Sequence, residues 1–138
     1  MKEYPSGILA SLREFPEKEQ PPSVLRGWSL VLSGWLMRLG HLESEARISM
    51  LRSELSADET LASVFHEARK DPEMSVSAAE KYAKMSPAYL AARKEQIEWE
   101  GRFHQYNRYY DATKEASQTV KKALDTSIQE ARLIGGMP

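Results

Sequence analysis

Between Ser86 and Leu133 no residue interrupts a helix, because Pro87 lies at its first turn and the next proline is Pro138. The stretch therefore reads as one helix of roughly 45 residues and about 70 Å at 1.5 Å per residue. Ser86 caps it, and Pro87 falls where a missing backbone N–H costs nothing. Trp99, Phe103, Tyr106, Tyr110, Thr113, Ser117, Val120, Leu124, Ser127 and Ala131 recur at steps of four and three, the spacing that keeps one seam against a partner helix. A helix this long is not stable alone in a small globule, so the seam demands a second helix of comparable length.

That partner is present. Ser23 opens a second long helix in which Leu25, Trp28, Leu32, Trp35, Leu39, Leu42 and Ala46 step three and four in alternation. Gly27, Gly34 and Gly40 each cost about 1 kcal/mol relative to alanine in a helix interior, which points either to close backbone approach or to a bend. The helix runs to about Leu55. At Ser56-Ala57-Asp58-Glu59 the sequence has the form of a capping box, so either a new helix starts there or the first continues unbroken through Arg69. Asp71-Pro72 then ends the helix, and Ser77-Ala78-Ala79-Glu80 forms a second capping box opening a short helix with Tyr82 and Met85. Residues 71–77 are the expected bend. Gly135-Gly136 is expected to stop the last helix.

Residues 1–22 carry four of the seven prolines, at Pro5, Pro16, Pro21 and Pro22, and form an arm. Ile8, Leu9, Leu12 and Phe15 share one side of a short helix within it, so the arm is expected to dock. No period-two run marks a strand, and no repeat of 20 to 50 residues occurs. The expected fold is all-α: an arm over 1–22, then a domain over 23–138 in which two long helices form an antiparallel hairpin around a short, broken helical connector. Seams with Trp28, Trp35, Leu39, Trp99, Phe103, Tyr106, Tyr110, Val120 and Leu124 among their knobs often continue burial between subunits, so a homo-oligomer is expected.

Composition narrows the function more by exclusion. The chain has no cysteine and a net charge of −1, which removes disulfides and leaves no global pull toward nucleic acid or membrane. The N-terminus lacks the apolar run of a secretory signal, and the most apolar window, Trp28 to Leu42, is broken by Arg38 and His41. A cytoplasmic protein without a membrane span is expected. There is no GxSxG, Walker loop or HExxH, and the three histidines, His41, His66 and His104, are far apart. His41 and Glu45 form an i,i+4 pair read as a surface contact over a metal site. No catalytic residue, metal site or cofactor is expected, and charged runs such as Arg93-Lys94-Glu95 read as solvated helix face.

One stretch departs from that plain surface. From Arg102 to Lys122, Arg102, Arg108, Lys114, Lys121 and Lys122 face only Asp111 and Glu115, and Gly101 to Tyr110 interleaves aromatic with basic and amide side chains. Cations for phosphates and flat rings for bases are the two ingredients that hold single-stranded nucleic acid. Phe103, Tyr106 and Tyr110 fall on the seam, which predicts burial, whereas Arg102, His104, Arg108 and Tyr109 point away from it.

In outline the chain resembles the T-even phage recombination mediator (UvsY-like) family: its length, a long first helix with a Trp-Leu step at Trp35-Leu36, a broken middle and a long C-terminal helix. Val64 to Asp71 looks like that family's basic DNA-binding segment, with Ala68-Arg69 and Asp71 at matching positions and Glu67 where the family pattern has a lysine. The resemblance implies an oligomeric, ring-forming protein that binds single-stranded DNA, with Arg69 and Lys70 joining Arg102, Arg108 and Tyr109 as contacts. It further implies action on a single-strand binding protein and a recombinase, without nucleotide hydrolysis, in the cytoplasm of a phage-infected cell. The reading from residues alone keeps another class open: a helical protein-binding module, such as a phage inhibitor, adaptor or chaperone, that touches no nucleic acid.

Overall fold

The computed structural model describes residues 3–14 and 20–135, which form four helices and no strand. These are α1 (Ser6–Arg13), α2 (Pro22–Ala68), α3 (Val76–Met85) and α4 (Pro87–Gly135). The protein is all-α, with the two long helices packed against each other as a hairpin. Phe15, Pro16 and Gly136, expected to belong to the arm's apolar side, to break the arm and to stop α4, lie outside the described residues.

Two local expectations shift, at the starts of α2 and α3, and of the two alternatives at Ser56 the unbroken helix is the one found. Helix α2 opens one residue earlier than Ser23, with Pro22 at the first position and the Pro21 carbonyl accepting from the N–H groups of Val24 and Leu25 at 3.0 and 3.1 Å. The Ser56 capping box does not start a new helix: α2 runs straight through it, with Ser53 and Ala57 buried on its inner face. Burial of that face outweighs a cap that would otherwise expose it, and Thr60 Oγ1 donates to the Ser56 carbonyl within the helix at 2.8 Å. The cap of α3 is Ser75 and not Ser77. Ser75 has extended backbone (ψ 161°), and its hydroxyl accepts from the Ala78 N–H at 3.1 Å, leaving Ser77 inside the first turn. At α4, Ser86 caps as expected: its Oγ accepts from the Tyr89 N–H at 3.3 Å, with Pro87 first in the helix.

The chain divides into two compact units, residues 3–41 with 107–135 among those described, and Leu42–Tyr106. In the first, Leu25 and Leu32 of α2 meet Ala116 and Val120 of α4, while Gly40 lies beside Tyr110, so the two helices run antiparallel. Helix α1 closes this core with Leu12, and Ile8 and Leu9 flank it. The arm is locked further by Tyr4, whose ring meets Trp35 edge-on at 5.6 Å and Tyr109 at 4.6 Å. Its hydroxyl lies 2.9 Å from Thr113 Oγ1. Thr113 spends its only proton on the Tyr109 carbonyl at 2.7 Å, so Tyr4 is the donor and fully buried Thr113 is satisfied.

In the second unit, α2 from Leu42 onward lies against α3 and the first part of α4. Ala79 and Ala83 of α3 are fully buried, and a pocket of about 380 Å³ opens between α3 and α2, lined by Leu61, Phe65 and Lys84 among others. Loop 69–75 is tied by the Asp71 carboxylate, which accepts from the Glu73 N–H at 3.0 Å. Gly27 and Gly34 are not explained by packing among the described residues. A Cβ at either meets nothing within 4 Å, and one at Gly40 would sit in ordinary contact with the Tyr110 ring at 3.7 Å.

Candidate nucleic-acid interface

The seam residues on α2 divide by size. Leu25, Leu32, Leu39 and Ala46 are buried, while Trp28 and Trp35, at the intervening positions, are half-buried because an indole is too broad to be swallowed by a two-helix contact. On α4, Thr113, Ser117 and Val120 are buried, and Trp99, Phe103, Tyr106, Tyr110 and Leu124 are half-buried. Aromatic knobs therefore leave ring edges at the surface.

The five expected DNA contacts fall in different units. Arg69, Lys70 and Arg102 belong to the second unit, Arg108 and Tyr109 to the first. Arg69 is exposed but holds the loop, its Nη1 donating to the Met74 carbonyl at 2.9 Å. Lys70 Nζ lies 2.8 Å from Glu67 Oε1. The hydrogen bond from Lys70, and then its charge, hold the Glu67 carboxyl below the usual carboxylate range. The glutamate that stands where the resembled family has a lysine thus locally neutralises its neighbour. Tyr109, expected to point away from the seam, is half-buried against Tyr4 because the arm folds onto that side of α4. Arg108 is exposed.

Arg102 has a different setting. Its guanidinium carbon lies over the Trp99 ring, 4.7 Å from the centroid, and both residues line a groove of about 440 Å³ between α2 and α4. Tyr106 lies on the same wall. Across it stand Leu42, Ala46 and Ser49 at the floor and Arg52 and Glu45 at the rim. Arg52 is a cation that reading by local composition passes over, since no aromatic residue is near it in sequence. Antiparallel pairing of the two seams brings it to Trp99. Arg69 lies 17 residues beyond Arg52, about 25 Å along the helix, so the two basic sites of this unit remain separate.

The groove brings two cations and two aromatic side chains to one surface. A guanidinium held over an indole sets a cation beside an aromatic face, and two arginines border the groove; cations can meet phosphates and rings can stack on bases. The Glu45 carboxylate offsets part of that charge. Among the described residues no cluster of three His, Cys, Asp or Glu side chains could hold a metal ion, and no buried side-chain polar atom lacks a hydrogen-bond partner. No described helix is long and apolar enough to cross a membrane.

Fold and groove together define a helical hairpin with a docked arm and a small cationic–aromatic cleft. No family model matches the chain, and no curated protein or solved structure matches it.

Proposed function

We propose that this chain is a non-catalytic, self-associating helical protein that holds single-stranded DNA and acts as a recombination mediator. In that role it helps a recombinase load on strands covered by single-strand binding protein. The observation that supports the DNA contact is the groove of the second unit, which Arg102, held over Trp99, shares with Arg52 and Tyr106. One such groove carries little affinity in a chain of net charge −1. Several on one assembly multiply it, because linked sites raise the effective concentration of each next contact without new chemistry.

Fluorescence anisotropy of a labelled oligonucleotide over a salt series tests this reading. Affinity should fall steeply with salt, and Arg52→Glu with Arg102→Glu should weaken binding at every salt concentration. If each arginine neutralises one phosphate, their loss reduces the slope of log K against log salt by about 1.4. Absence of binding at low salt by the assembled protein ends the proposal. A second reading, a helical module that binds another protein, is favoured by the large apolar side chains α2 leaves exposed, Leu30 and Met37 in the first unit and Leu51 and Leu55 in the second. That reading gains if the protein proves indifferent to DNA.

A further inference from the structure

Within the second unit, α2 carries two apolar rows on opposite sides. The inner row, Ala46, Ser53 and Ala57, is buried in the hairpin. Half a turn away, Ser44, Ile48, Leu51 and Leu55 step four, three and four, the spacing of a second seam, yet all are exposed, with Ile48 at 50%, Leu51 at 51% and Leu55 at 59%. A surface helix normally carries one such stripe, facing its core. The second stripe is spaced to meet another helix.

The charges beside this row specify which helix, and in which direction. Arg47 and Glu54 lie along one flank and Glu45, Arg52 and Glu59 along the other, all exposed. If two copies of α2 met in parallel and in register, each flank would face the opposite flank one turn on. Arg47 would then oppose Arg52 and Glu54 would oppose Glu59, two like-charge contacts on each side. Reversing one helix brings each flank against its own counterpart. With Ile48 layered on Leu51 and Ser44 on Leu55, Arg47 faces the second copy's Glu54. Two-fold symmetry makes every one of these contacts twice. No ion pair among the described residues occupies Arg47 or Glu54. Flank charges of this kind set orientation and partner choice in paired helices, and here they exclude the parallel arrangement.

We infer that residues 44–55 of α2 are a self-association surface on which a second copy of this chain docks antiparallel, Ser44 opposite Leu55 and Arg47 opposite Glu54. This rests on the self-association in the function proposed above; Ile48, with Glu45 and Arg52 on its flank, also borders the groove assigned to DNA, so the variants that test the surface are placed at Ser44, Arg47, Leu51, Glu54 and Leu55, outside the groove.

The absence of native cysteine allows a direct test on the full chain without nucleic acid. Ser44→Cys with Leu55→Cys, treated with a bis-maleimide short enough to bridge the roughly 8–10 Å between packed helix axes, should give a species of twice the 15.7 kDa chain mass. Within one chain the two positions are 11 residues and about 16 Å apart, too far for the same reagent. Either cysteine alone should cross-link poorly. Cross-linking by Ser44→Cys alone would mean parallel pairing and overturn the inference, as would no cross-linking by the double variant.

Sedimentation velocity supplies the second arm. Arg47→Glu and Glu54→Arg should each weaken association at least tenfold, and the charge-swapped double variant should recover most of the loss. Leu51→Glu should abolish the contact while the helical circular dichroism is retained, since that side chain is half exposed in the single chain. Association unaffected by Leu51→Glu, or no recovery in the swap, refutes the surface. Because these readouts use no oligonucleotide, they can fail while DNA binding survives, and the reverse.

Discussion

Leu32 and Leu30 are two residues apart on α2 and chemically identical, yet the seam assigns them opposite fates. Leu32 is fully buried in a cluster with Leu12, Leu25, Ala116 and Val120, whereas Leu30 is 77% exposed. Leu32→Ala removes buried methyl and methylene groups and leaves a cavity. Fully buried leucines cost about 2–5 kcal/mol on this change, depending on how far the walls collapse. Here the walls come from three segments, α1, α2 and α4, so closing the cavity requires whole helices to shift, and the cost should be about 3 kcal/mol or more. At Leu30 only about a quarter of the side chain is removed from water. That is roughly 0.5 kcal/mol, and alanine's better helix propensity offsets a few tenths of it. Urea unfolding followed by circular dichroism at matched protein concentration measures both. With a slope of about 2 kcal/mol per molar, Leu32→Ala should lower the midpoint by about 1.5 M and Leu30→Ala by at most about 0.3 M. Matched concentration matters because self-association adds to apparent stability. Comparable losses at the two sites, or a loss below about 1 kcal/mol for Leu32→Ala, would refute the assignment of the seam.

Gly34→Ala should stabilise the protein by about 1 kcal/mol, read as a higher urea midpoint, because the added Cβ meets nothing within 4 Å and alanine is the better helix former. Tyr4→Phe keeps the ring contacts but leaves Thr113 Oγ1 without its donor. Thermal unfolding should show a loss of about 1 kcal/mol, and a larger loss on Tyr4→Ala would measure how much the arm contributes. Lys70→Ala should let the Glu67 carboxyl rise toward its ordinary value in an NMR titration. A depressed folded-state value contributes stability above the unfolded-state pKa and loses it as pH falls through the folded-state pKa. With Glu67 fully exposed the unfolding midpoint should nevertheless be unchanged across that window.

Periodicity makes the partnership of α2 and α4 legible because each helix reports the direction of its own apolar side and nothing else is needed to pair two of them. The row Leu25, Leu32, Leu39 and Ala46 is buried in the structure, and on α4 the small knobs Thr113, Ser117 and Val120 are buried where the helices approach. Periodicity does not reach a residue that answers to a third body. Tyr109 lies one step off the seam and by periodicity belongs to solvent, but Tyr4, more than a hundred positions away, covers it. No local spacing carries that contact. Local spacing also leaves Ser56 open between a new cap and an unbroken helix and misplaces the cap at Ser77: each has the residues of a cap, and a cap forms only where the backbone leaves the helix. At Ser56 the buried side chains of Ser53 and Ala57 keep the backbone helical, while at the start of α3 the extended residue is Ser75.

The candidate site divides along the same line. Arg102 can be chosen from sequence because its aromatic neighbours are one helical turn away, and Trp99 does lie beneath its guanidinium. Arg52 cannot, since the aromatic side chains beside it in the groove arrive from the other helix of the hairpin. Its place in the groove follows once antiparallel register is imposed, with Gly40 set beside Tyr110 and Leu42, Ala46 and Ser49 facing Trp99 and Tyr106. Register, and not composition, therefore decides which cations share a surface. By that criterion Arg69 and Lys70, joined to the site only by resemblance, are a separate patch whose charge Glu67 already halves.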